Sequence, residues 1–193
     1  MTRTVTHLFD DYTLAQRAVT ALEQAGFTSS EISLVSRYRD NGSLADDAVS
    51  STATAATVGG VAVGGAGLLA ALGMIAIPGI GPLVAAGVLA TTLTAAGAGT
   101  LVGGLIGALI DYGMSEEDAH VYSEAIRRGG SLVSVRADEA RAAKAELILR
   151  QQSPVDVTKR RQHYAKAGWS KYDSKAPGYT AEQIRTEREM YGR

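Results

Sequence analysis

The chain of 193 residues contains no cysteine. Disulfides, thiolate metal sites and thiol nucleophiles are thereby excluded, and the absence fits a reducing cytoplasm. Charge is missing just as completely from one long stretch: between Asp47 and Asp111 there is no charged residue over 63 positions, 48 to 110. That stretch consists almost wholly of Gly, Ala, Val, Leu, Ile and Thr, and holds fourteen of the 22 glycines. Such a composition does not stand in water as an ordinary loop or surface helix. It requires burial in lipid, in copies of the same chain, or in both.

Catalytic constellations are also absent. His7, His120 and His163 fall on separate segments with no ligand-like spacing. The glycine-rich runs lack the Gly-Lys-Ser/Thr that completes a phosphate loop. Glu116, Glu117 and Asp118 read as the acidic first turn of a helix, which the helix dipole favours, rather than as an acid–base cluster. No catalytic, cofactor-binding or metal-binding residue is assigned, and no enzyme is expected. Asp10 and Asp11 interrupt the N-terminus before any apolar core of useful length, so it does not read as a secretory signal.

What remains is two kinds of material. Residues 1–47 carry net charge −3, residues 111–153 carry −2, and the segment from 154 to the end carries +4. Residues 3–9 are rich in β-branched and aromatic types and predict a strand. Asp10 or Asp11 then caps a helix over about 12–25, with Leu14, Ala15, Ala18, Val19 and Leu22 as its buried stripe. Gly26 stops it, and Ile32, Leu34 and Val35 mark a second strand. After the uncharged stretch, Ser115 caps a helix that ends at Arg127-Arg128-Gly129-Gly130, a sequence that a helix C-terminus accounts for. A strand over 131–136, a helix over about 138–151 and a short last strand at Val155-Asp156-Val157 complete the pattern.

The expected fold class is therefore α+β, a small ferredoxin-like sandwich interrupted by an inserted apolar, Gly/Ala-rich helical hairpin. Residues 1–50 form the first half of the α+β domain, 51–112 the glycine-zipper hairpin, 113–157 the second half, and 158–193 a basic, partly ordered tail. Within the hairpin, Pro78-Gly79-Ile80-Gly81-Pro82 is the strong helix breaker and forms the turn. Pro78, Gly79, Gly81 and Pro82 thus separate helical arms of about 57–77 and 82–110, roughly 30 and 43 Å long at about 1.5 Å per residue. Both arms can cross a hydrocarbon core of about 30 Å, although each is only marginally hydrophobic. Small residues recur at four-residue steps, Gly87, Thr91, Ala95, Gly99, Gly103 and Gly107, with a shorter series in Ala56, Gly60 and Gly64. Such a face lets two helices approach closely. It serves either closure of the hairpin on itself or contact between protomers.

The tail interleaves basic and aromatic residues: Lys159, Arg160, Arg161, Lys166 and Trp169 form a candidate contact with an anionic surface. The alternative is a solvated tail draped over the sandwich with Trp169 as its anchor. Nucleic acid is the least favoured partner.

Together these pieces resemble the bacterial general-stress or heat-induced stress protein family. The residues that carry the resemblance are Val5-Thr6-His7-Leu8-Phe9-Asp10, Ala25-Gly26-Phe27, Ile77-Pro78-Gly79-Ile80-Gly81-Pro82-Leu83, Gly113-Met114-Ser115-Glu116-Glu117-Asp118-Ala119 and Gly168-Trp169, with Ala176-Pro177 and Tyr179-Thr180. The resemblance implies a stress-linked protein that associates with membrane or with itself, and no activity. The expected partners are other copies of the chain and membrane lipid, with the soluble parts in the cytoplasm. A wholly cytoplasmic homo-oligomeric particle or filament, and a ligand-sensing regulatory module, stand as alternatives.

Overall fold

A computed structural model describes residues 2–37, 73–77, 80–95 and 104–191. They form a mixed α+β structure in which an antiparallel sheet lies between two layers of helices. The elements are β1 (Thr2–Phe9), α1 (Tyr12–Gln24), β2 (Ile32–Ser36), β3 (Gly73–Ile77), β4 (Gly81–Ala86), α2 (Val88–Ala95) and α3 (Gly104–Asp111), followed by α4 (Glu116–Arg127), β5 (Ser131–Asp138), α5 (Glu139–Gln151), α6 (Val157–Lys166) and α7 (Ala181–Tyr191). Strand order is β1-β5-β2-β4-β3, each neighbouring pair antiparallel. β5 thus slots between the two strands of the first βαβ unit, which run parallel to each other because each opposes β5.

Side-chain caps start the helices, at Asp11, Ser115 and Asp138 as the sequence indicates and at Asp156 in place of the expected strand. Asp11, Ser115, Asp138 and Asp156 each accept a hydrogen bond from the backbone N–H three residues on, at 2.8 to 3.1 Å. Thr180 and Gln183 form a reciprocal capping box at the start of α7. Alternation along the strands sorts side chains to two cores. Val5, Phe9, Ile32, Leu34, Val84, Val133 and Val135 meet α1 and α5 on one face. Leu8, Val35, Leu83, Ala85 and Leu132 meet α2, α3 and α4 on the other.

The uncharged stretch departs from the expected helical hairpin. Residues 73–77 and 81–86 are strands, paired as a β-hairpin in which Ile77 opposes Gly81. The chain does reverse at the expected place: Gly81 and Pro82 open β4, while Pro78 and Gly79 lie outside the described residues. β4 also pairs with β2, Leu34 opposite Ala86 and Ser36 opposite Val84. A strand with both faces covered reads as a continuous apolar run, which periodicity alone does not separate from a buried helix segment. The second arm is broken as well, because Gly87 sits at φ +82° between β4 and α2. The described parts of the two helices that follow, Val88–Ala95 and Gly104–Asp111, pack against each other and so do not form one continuous arm. No described helix is long and apolar enough to cross a membrane. The first arm up to residue 72 lies outside the described residues, as do Gly60, Gly64, Gly99 and Gly103.

The expected last strand is also replaced. The Val155 N–H donates to Leu8 O at 2.8 Å beside the edge of β1, and the helix α6 begins at Val157 under the Asp156 cap.

Candidate functional site

The densest polar chemistry gathers where α4 ends and the C-terminal segment docks. Glu124, in the last turn of α4, is fully buried. A buried carboxylate is costly unless paired and hydrogen-bonded, and here the pairing is local. Arg127 donates to it through Nη2 at 2.8 Å and Nε at 3.0 Å, a bidentate fork, and Arg128 donates through Nε at 2.6 Å. Both cations also lie near the negative end of the helix dipole. Arg37, from the end of β2, donates through Nη1 to the Arg127 carbonyl at 2.8 Å and so caps that helix from outside.

The C-terminal segment supplies the remaining partners. Arg128 Nη1 donates to Glu187 Oε1 at 2.7 Å, and the Tyr191 hydroxyl donates to the other oxygen of Glu187. Arg127 Nη1 donates to Pro177 O at 3.3 Å, and Arg188 Nη2 to Gly129 O at 3.1 Å. Aromatic rings complete the cage. The Arg128 guanidinium lies 4.3 Å from the centre of the Tyr164 ring, and that of Arg160 lies 3.5 Å from the Tyr191 ring. Burial alone would lower the Arg128 pKa, but Glu124 and Glu187 raise it, so the guanidinium stays charged. Burial pushes the Tyr164 and Tyr172 hydroxyls up to about 12.

The five tail residues singled out for an anionic surface divide. Arg160 is buried and pairs with Asp10 at 2.6 Å, and Arg161 pairs with Glu117 and with Asp118. Trp169 packs edge-on against Tyr164, with ring centres 5.6 Å apart. Lys159 and Lys166 are exposed. Lys159 also lies 3.9 Å from Asp156, so four of the five have partners within the protein, and Glu117 and Asp118 serve as partners of the tail as well as first-turn anions.

The small-residue ladder divides too. Gly87 packs its backbone on β2: a Cβ there would lie 2.0 Å from Ile32 O. Thr91 and Ala95 belong to α2. Gly107 is in α3, and no atom among the described residues lies within 4 Å of where its Cβ would be. The ladder is therefore not one continuous helix face.

The histidines stay apart, on β1, α4 and α6. His7 Nε2 lies 3.2 Å from Glu146 Oε2. Burial would raise the Glu146 carboxyl, but hydrogen bonds from Arg150 and His7 hold it below its usual range. No group of three metal-ligating side chains occurs among the described residues.

Sequence reasoning passed over Glu124 and Glu187, and Arg37 carried no sign of its contact with α4. The spacing of Glu124 to Arg127 and Arg128, three and four residues, is a readable signal for helix pairs. Nothing in the sequence links Arg128 to a residue 59 positions further on. A comparison with protein-family models, curated proteins and solved structures finds no match to this chain.

Proposed function

We propose that the chain is a non-enzymatic, stress-associated protein that works by association, with copies of itself and with a membrane, through its uncharged stretch. The observation that carries this reading is the run of 63 residues without a charge. Its framework reads as a ferredoxin-like sandwich. The fourth strand is reduced to the single Val155–Leu8 hydrogen bond, and the β3–β4 hairpin extends the sheet at the other end.

The sheet favours association between copies, or attachment at a membrane surface, over a span of two helices. β2 and β4 are direct neighbours, so the chain leaves and re-enters one sheet between residues 37 and 73. The uncharged part of that interval, 48 to 72, has 25 residues. One helical crossing of a bilayer needs about 20 residues, and returning to the same side needs two. The membrane-bound form is accordingly peripheral, with the sandwich in the cytoplasm. A homo-oligomer without lipid is the second reading: burial of Ile80, Leu83, Leu89 and Leu109 in the protein's own core means that these side chains need no lipid to cover them.

Size-exclusion chromatography with and without detergent, joined to cell fractionation with a carbonate wash, tests both. The expected result is a homo-oligomer whose membrane fraction is released by carbonate. Retention in the carbonate-washed membrane would overturn the peripheral reading, and a monomer in every condition would overturn self-association.

A further inference from the structure

The two carboxylates that face Arg127 and Arg128 differ in origin. Glu124 belongs to α4 itself and is held one turn away from both arginines. Glu187 is delivered by α7, at the end of a segment that runs from 167 to 180 without helix or strand. The same segment offers the Pro177 carbonyl to Arg127. Oxygen atoms of the C-terminal segment therefore occupy positions to which guanidinium donors already point. The apolar part of this attachment is mainly aromatic: Tyr164 and Tyr172 are buried, and on α7 itself Ile184 is fully buried while Met190 is exposed.

We propose that Arg127 and Arg128, flanked by Arg37, form a binding site for a phosphate-monoester oxyanion. In this proposal Glu187 is an internal stand-in for the ligand, and ligand binding releases α7. Planar guanidinium forks match phosphate oxygens in pairs. A phosphate monoester carries about −1.5 to −2 charge and three acceptor oxygens, against one charge and two oxygens on Glu187. The rings of Tyr164 and Tyr179 already line the cations, with Arg127 and Arg128 each 5.2 Å from the centre of Tyr179. The site borders the uncharged stretch, since Gly178 packs against Ile80 O and Arg37, but its donors are charged residues outside that stretch and it does not rest on the association reading.

The test follows amide hydrogen exchange of residues 181–191 in the full chain. One arm adds inorganic phosphate against chloride at equal ionic strength. The other adds vesicles containing phosphatidic acid against vesicles of phosphatidylcholine alone. At least tenfold faster exchange with phosphate is expected if the oxyanion is free in solution. The same change with phosphatidic acid only identifies a lipid headgroup as its source. Unchanged exchange in both arms, or equal release by phosphatidylcholine, overturns the proposal. Glu187→Gln removes the internal competitor and should bind inorganic phosphate at least tenfold more tightly by calorimetry, a gain that Arg128→Lys in the same chain abolishes. Should Glu187→Gln fail to fold, the exchange experiment on the unaltered chain decides alone.

Discussion

Gly87 and Gly107 lack the same side chain for opposite reasons. Gly87 takes φ +82° and lies against the backbone of β2, with no room for a methyl group. Gly107 lies inside a helix, with no atom of the described residues within 4 Å of where its Cβ would be. Gly87→Ala combines a left-handed backbone cost of about 1–2 kcal/mol with overpacking of about 1–3 kcal/mol. A loss of about 2–5 kcal/mol in urea unfolding is expected. Gly107→Ala removes only the entropic cost of a helical glycine, so a gain of about 0.5–1 kcal/mol is expected in the same assay. Were Gly107 pressed against a helix of a second copy, that variant would instead lower oligomer stability. The two glycines belong to one four-residue series in the sequence, and only their surroundings tell them apart.

At the scale of elements, the capped helices were legible and the uncharged stretch was not. Asp11, Ser115 and Asp138 act on backbone amides three residues away, so the information is local; Asp156 acts in the same way, but between two valines it reads as part of a strand. β4 is different. Gly81–Ala86 has no polar face to report its alternation, since Val84 and Ala86 enter one core and Leu83 and Ala85 the other. Its strand character comes from pairing with β2, whose partner residues lie about fifty positions earlier. Leu83→Ala tests this placement. A fully buried leucine cut to alanine costs about 2–5 kcal/mol, and that loss is expected in the unfolding of the purified protein. An unchanged unfolding midpoint would mean that Leu83 is buried elsewhere, as in a lipid-facing helix. In the candidate site, the Glu124–Arg127–Arg128 spacing is written in the helix period. The Glu187 contact depends on how two remote helices meet.

For the whole molecule, the segment from α6 to α7 is held largely by ionic and aromatic contacts, and buried tyrosines there and in α4 should make stability depend on pH. Tyr122, Tyr164 and Tyr172 are each pushed up to about 12, mainly by burial, from the ordinary 10.0. For Tyr122 the charges of Asp118 and Glu146 add to the rise, while Arg160 and Arg128 oppose it at Tyr164. A raised tyrosine pKa means that the fold prefers the neutral phenol. The stability it contributes is fully present below about pH 10 and is lost as pH rises through about 12. Urea midpoints should accordingly hold steady up to about pH 10 and fall between about 10 and 12, together with delayed tyrosinate absorbance. Tyr164→Phe should make that fall shallower, and an unaltered slope would show that Tyr164 titrates as an exposed phenol.

By itself the sequence determined which segments avoid water, where α1, α4 and α5 start, and that cysteine chemistry plays no part, because composition and capping act over a few residues. The tertiary structure decided what the apolar segments are buried in and which charges meet. Leu83 and Leu89 lie in the protein's own core, and Arg128 finds Glu187, because pairing across a sheet and docking of a distant helix join residues that the chain keeps far apart.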